Sequence, residues 1–229
     1  MKINIWSALK TEMLFAPKQS CEMMKGRLIT FEGIDGSGKS TLSKRVAGLL
    51  RKDHDIIFTK EPTTTWVGEM VRKSIDSDTD SLVELFLFVA DHAEHVAMIK
   101  KELSLGKIII SDRYSDSQYA YQGALLADRF DDPIRWIKQI HDGWTLKPDL
   151  TFLLLADPAI ALARCNRKKA KFEKIEFLKK VQHNYLKLAE EDPKRFIKID
   201  AEKELSEMER EVMIKITSYL EGAMGRSPK

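Results

Sequence analysis

The run Gly33-Ile34-Asp35-Gly36-Ser37-Gly38-Lys39-Ser40 restricts this chain more than any other feature. It fits G-x-x-x-x-G-K-[ST], with the apolar stretch Leu28–Phe31 before it and a helix-like stretch, Lys39–Leu50, after it. In that setting the glycines let the backbone wrap around phosphates, and successive N–H groups form an anion nest at a helix N-terminus. The motif predicts that Lys39 bridges the β and γ phosphates of ATP and that Ser40 helps hold Mg²⁺. It identifies a nucleotide binder but no substrate.

Short β-branched runs alternate with longer helical stretches, the pattern of βαβ units and a parallel sheet. Strands are predicted at Leu28–Phe31, Ile56–Thr59, Ile108–Ser111, Leu150–Leu155 and Phe196–Ile199. Their continuous apolar character suits strands covered on both faces. Helices are predicted at Lys39–Leu50, Ser81–Leu103, Asp131–Trp144, Ile160–Lys171, Glu173–Glu190 and Glu204–Leu220. The expected class is α/β: a P-loop kinase fold with a five-stranded parallel sheet sandwiched by helices and a short helical lid. One domain is expected over residues 25–221, with a lid at about 158–172, an extension of unknown role at 1–24 and a tail at 222–229.

Bulk properties exclude several classes. A hydrophobic share of 43% with 32% charged residues suits a globular domain. The net charge of +3 gives no global case for a nucleic-acid or membrane partner. No apolar run approaches the roughly 18 residues that a spanning helix needs. Cys21 and Cys165 lie far apart, outside any zinc-like cluster, and predict a reducing, cytoplasmic setting.

The acceptor is narrowed by chemistry. A signalling GTPase needs N/T-K-x-D, and Lys60 is followed by Glu61-Pro62 instead. A hydroxyl acceptor needs a base to take its proton. A monophosphate acceptor needs none, because its second pKa is near 6; it needs cations to bring two polyanions together. Asp112-Arg113-Tyr114 follows a predicted strand at its carboxyl end, where sites of open α/β sheets form. Asp112 there could hold Mg²⁺ through water and Arg113 could grip a phosphate; a loop ion pair is the plainer alternative. Arg164, Arg167, Lys168 and Lys171 are spaced to share one helix face. That stripe reads as a solvated surface, as a nucleic-acid patch without the usual aromatic residues, or as a cationic lid over ATP.

Taken in order, these motifs resemble the thymidylate kinase family. Phe31-Glu32-Gly33 through Lys39-Ser40-Thr41 is similar to its phosphate loop. Glu61-Pro62 with Gly68-Glu69 and Arg72 resembles the segment after its second strand. Asp112-Arg113-Tyr114, Ser117 and Ala120-Tyr121-Gln122-Gly123 are similar to its most specific stretch. Phe172-Glu173 through Phe177-Leu178, with Tyr185-Leu186 and Leu188-Ala189, resembles the helix after its lid. The resemblance runs from about Lys25 to Leu220. It implies phosphoryl transfer from ATP to dTMP with Mg²⁺, in a homodimer joined through long helices. It extends the ATP-binding set from Gly33 through Thr41. It assigns Asp35 near the acceptor's sugar and transferring phosphate, Arg72 and Arg113 to the dTMP phosphate, and Glu61-Pro62 to the acceptor site. Phe88 would stack on thymine, Gln118 would lie near its polar edge, and Tyr121 would exclude a ribose 2′-hydroxyl. Lys39, Asp35, Arg113, Arg164 and Arg167 form the implied catalytic set.

Three positions depart from the family pattern. His92 stands where members commonly carry an arginine that reads thymine, and is expected to donate one bond to the base, directly or through water. Lys60 replaces a frequent arginine before Glu-Pro. Gly36 stands where one subgroup has arginine, which shifts the cationic role to Arg164 and Arg167. A different deoxynucleoside or nucleoside-monophosphate kinase, or a non-catalytic P-loop module, remains an alternative.

Overall fold

In a computed structural model, residues 26–165 and 175–224 are described. Five strands form one parallel sheet: β1 (Arg27–Gly33), β2 (Ile56–Lys60), β3 (Ile108–Asp112), β4 (Leu150–Leu155) and β5 (Phe196–Asp200). Their order is β2-β3-β1-β4-β5, which puts β1 in the middle. Phe31 lies level with Asp112 on one side and Phe152 on the other. The strand ahead of the phosphate loop and the strand ending in Asp112 thus finish side by side.

The described residues contain eight helices. They are α1 (Lys39–Leu50), α2 (Trp66–Ile75), α3 (Ser81–Ser104), α4 (Ser115–Leu125), α5 (Pro133–His141), α6 (Pro158–Arg164), α7 (Ile175–Glu191) and α8 (Leu205–Met224). Two of these, α2 and α4, have no counterpart among the predicted helices. Thr65 caps α2 by accepting from the Gly68 N–H at 3.3 Å. All eleven residues of α4 but Leu125 are buried, so no polar face advertises its period. The predicted helix 131–144 is shorter: Asp132 caps it, Pro133 begins it, and it stops at His141.

Leu42, Val46 and Leu50 of α1 and Val212 and Ile216 of α8 belong to one core with Ile29, Phe31 and Phe152 of the sheet. Helix α4 packs on α3, α5 and α7 and touches β1. Helix α6 ends at Arg164, with Cys165 extended. The predicted continuous helix 160–171 is therefore seen only to Arg164; Arg167, Lys168 and Lys171 lie outside the described residues, as does residue Cys21.

Candidate active site

The phosphate loop turns on left-handed glycines. Gly36 has φ 82° and Gly38, at the start of α1, has φ 88°. A Cβ on Gly36 would lie 1.9 Å from the carbonyl oxygen of Ala161, so α6 rests directly on the loop. This explains the missing side chain: in this arrangement nothing larger than glycine fits. Lys39 is only 4% exposed, and its ammonium donates to the Ile34 carbonyl at 3.2 Å and to Asp35 Oδ1 at 3.3 Å. Burial lowers its pKa, Arg113 lowers it further, and Asp35 opposes both. Ser40 and Thr41 are exposed in the first turn of α1.

Arg113 is the hinge of the site. Its φ of 73° is unusual for a residue with a side chain. Three bonds impose it: its N–H donates to Phe31 O at 3.0 Å, Ser111 Oγ donates to its carbonyl at 2.6 Å, and the Tyr114 N–H donates to Glu32 Oε1 at 2.8 Å. The guanidinium then reaches across β1. It donates to Asp35 Oδ1 at 2.5 Å, Ser117 Oγ at 2.9 Å and Tyr121 Oη at 3.3 Å. Tyr121 Oη also accepts from the Asp35 N–H at 2.9 Å, and its ring lies under the guanidinium at 4.8 Å. Burial would raise the Asp35 carboxyl, yet its side chain is 44% exposed; Arg113 and then Lys39 hold it well below the usual carboxylate range.

Beneath this lies Glu32, fully buried. It accepts from Ser117 Oγ at 2.6 Å and Tyr185 Oη at 3.0 Å. Burial pushes its pKa up to about 8, Asp116 adds to the rise, and Ser117, Arg113 and Tyr185 pull the other way. Neither Glu32 nor Tyr185 is among the site residues expected from the sequence. The available signal was a carboxylate continuing an apolar strand, Leu28-Ile29-Thr30-Phe31-Glu32.

Several residues expected on the acceptor side gather around Glu61. Its carboxylate meets His92 Nδ1 at 2.6 Å, His95 Nδ1 at 2.8 Å and Gln118 Nε2 at 3.3 Å. The next residue, Pro62, follows a cis peptide bond. Arg72 Nη1 donates to the carbonyl of Thr63 at 2.6 Å and to that of Pro62 at 3.4 Å. Phe88 is half-buried, and its carbonyl accepts from Gln118 Nε2 at 3.3 Å. The His92 ring is wholly buried, with Nε2 at 2.6 Å from Thr145 Oγ1. Both of its nitrogens face protein partners, which leaves none for a direct bond to a base. The expectation of direct reading by His92 does not fit this packing: Glu61 and Thr145 draw the ring inward. His95 and His141, which complete the cluster, were missed; His95 lies one helical turn from His92.

Asp112 is 6% exposed, and its Oδ1 is buried without a hydrogen-bond partner among the described residues. Mg²⁺ takes oxygen ligands and keeps several waters and substrate phosphates, so Asp112 with exposed Ser40 fits that ion. Among the described residues no group of three His, Cys, Asp or Glu could form a full protein cage. Arg164 is exposed and donates to the Ala201 carbonyl at 2.8 Å.

Comparison with known proteins agrees with this geometry. A family model described as thymidylate kinase matches residues 31–212. A protein of Methanococcoides burtonii named "Probable thymidylate kinase" is 54% identical over 201 residues, covering 86% of this chain and 100% of the relative. Its namesake in Methanosarcina mazei is 51% identical over 203 residues, covering 86% and 98%. Another in Natronomonas pharaonis is 44% identical over 176 residues, covering 76% and 89%.

Proposed function

The chain belongs to the thymidylate kinase family, and from that premise we propose that it transfers the γ-phosphoryl group of ATP to dTMP at the site between the phosphate loop and Arg113. The carrying observation is the contact of Arg113 with Asp35, which joins the end of β3 to the loop that cradles the donor. The acceptor phosphate is already ionised at neutral pH, so the site needs no general base and its work is electrostatic and positional.

In this reading Lys39 lies along the β and γ phosphates, with the loop from Gly33 to Thr41 around them. Arg113 and Arg72 hold the dTMP phosphate. Asp35 keeps Lys39 and Arg113 aligned before substrate arrives and then meets the acceptor's sugar. Tyr121, fixed by Asp35 and Arg113, fills the space of a 2′-hydroxyl. Phe88 stacks on thymine, with Gln118 at the base edge. Ser40 and Asp112 would hold Mg²⁺, which when bound would supply positive charge to the donor phosphates. We place Arg164 in a lid over the donor and extend the reading to a homodimer through α3, where Val83 and Phe86 are exposed. A cytoplasmic setting and one catalytic domain over 25–221 belong to the same proposal. The absence of any described helix long and apolar enough to cross a membrane is compatible with it.

The test is a coupled ADP-release assay with MgATP across the deoxy- and ribonucleoside monophosphates. dTMP should be turned over with the highest kcat/KM. Equal or better use of another monophosphate would overturn the assignment.

A further inference from the structure

The cluster around Glu61 is not used by the phosphoryl-transfer chemistry, yet it is buried and extensive. His92 links Glu61 to Thr145, and His95 links it to Thr59, whose hydroxyl lies 2.7 Å from His95 Nε2. Gln118 carries the chain onward: its Oε1 lies 3.1 Å from His141 Nε2, and His141 Nδ1 lies 2.8 Å from the Ile137 carbonyl. The His141 ring is fully buried, stacked on Trp144 at 5.1 Å, with His92 at 5.1 Å and Tyr119 at 5.3 Å. Tyr114 faces the His92 ring at 4.6 Å. Among the described residues the basic side chains within ion-pair distance of Glu61 are His92 and His95, with no lysine or arginine.

Counting donors restricts how this cluster can be protonated. The Ile137 carbonyl only accepts, so His141 Nδ1 must carry a proton. The Gln118 amide group at 3.3 Å faces two acceptors, Glu61 Oε2 and the Phe88 carbonyl, so its NH₂ points there. Its carbonyl oxygen then faces His141, and His141 Nε2 must donate as well. Turning the amide over would set its oxygen against the Phe88 carbonyl and would require a proton on Glu61. The two arrangements differ in one proton, on His141 Nε2 or on Glu61, and the orientation of Gln118 reports which. The two arrangements differ in what Gln118 offers a base. With NH₂ held by Glu61 and Phe88, only a lone pair on its oxygen remains, which suits the N3–H of thymine. Turned over, it would offer an N–H, which suits the bare N3 of cytosine.

We propose that His141 is a positioning residue for base recognition, doubly protonated when dTMP is bound, holding Gln118 so that its carbonyl oxygen accepts from thymine N3–H. This rests on the dTMP reading above, with Gln118 at the base edge. Glu61, clamped by His92 and His95, holds the other end of the amide. Burial pulls the His141 pKa down, to about 4, and His92 adds to that pull, against the Ile137 carbonyl and Glu61. The donor count opposes that pull, because a neutral His141 leaves two buried lone pairs facing each other at 3.1 Å. The hold of His141 on Gln118 therefore weakens once His141 loses its second ring proton.

The test is ¹⁵N NMR of the full chain, histidine-labelled and saturated with dTMP at pH 7.0, using His141→Phe to assign the signal. Both ring nitrogens of His141 should carry protons. His141→Phe should raise KM for dTMP about tenfold, the scale of a lost buried hydrogen bond, with kcat changed by less than about threefold and relative use of dCMP increased. His141→Gln, which keeps a donor for Gln118, should recover part of the KM. A single protonated nitrogen on His141 in the dTMP complex, or an unmoved KM in His141→Phe, overturns the proposal. Should that variant not fold, the spectrum of the unaltered protein still decides, with assignment from His141→Gln. Loss of dTMP preference in the unaltered protein would instead be a failure of the functional reading.

Discussion

At the scale of single residues, the site depends on cations whose positions are overdetermined. Lys39 is buried and doubly bonded within its own loop, so removing it leaves the fold's other contacts in place while taking away the charge proposed to lie along the phosphates. Lys39→Ala should lower kcat by about two to three decades, the scale of losing one transition-state donor, measured in the coupled assay. Arg113→Lys tests geometry with charge kept. The planar fork reaches Asp35, Ser117 and Tyr121 together, and a single ammonium cannot. A fall of about a hundredfold in kcat/KM for dTMP is expected, with little change in melting temperature, since the φ strain is the same for both side chains. Glu32 carries a pH dependence. A carboxyl harder to ionise folded than unfolded favours the folded state while it keeps its proton. That stability declines as pH rises from its ordinary 4.5 towards about 8. Glu32→Gln should therefore flatten the fall of melting temperature between pH 5 and 9; parallel curves would show that Glu32 titrates normally.

At the scale of elements, two close approaches set the site's shape. Helix α6 sits on the phosphate loop through Ala161 and Gly36, and α2 sits on the Glu61–Thr65 segment through Gly68. A Cβ on Gly68 would lie 2.1 Å from the Thr63 carbonyl oxygen, the same oxygen that Arg72 grips. Gly68→Ala should cost about 1–3 kcal/mol, the range for overpacking, and should raise KM for dTMP more than KM for ATP. Thermal melts and initial rates check both halves; a shift in ATP affinity alone would contradict this coupling. These approaches explain why α2 was not read from the chain. Its glycine weakens the helical pattern, and its reason for being there is a carbonyl brought in from before the helix. Helix α4 was hidden differently. Buried on nearly every side, it shows no amphipathic stripe, although Ser117, Gln118 and Tyr121 on it all reach the site.

At the scale of the whole molecule, the sheet order brings the motifs together and one buried ion pair ties the site to the far side. Asp116 of α4 and Arg195, just before β5, meet at 2.5 Å, and Arg195 also donates to Thr151 Oγ1 of β4 at 2.7 Å. Removing one member leaves a buried charge without its partner, so Asp116→Ala should destabilise by about 3–5 kcal/mol. Chemical denaturation should report this as a lower midpoint. The five strands, the central class of fold and the phosphate loop were legible in the chain because each is local: an apolar run, a period, a glycine-lysine spacing. Asp112 and Arg113 were legible as candidates because they follow a strand end. The sequence alone could not determine that Arg113 would meet Asp35, 78 positions away, or that α6 would lie against Gly36. Nor could it determine that His92 would turn inward to Glu61 rather than outward to a base. Those outcomes depend on which strands lie side by side and which buried polar atoms need partners. Only the assembled sheet and the helices packed on it bring such atoms within hydrogen-bond distance.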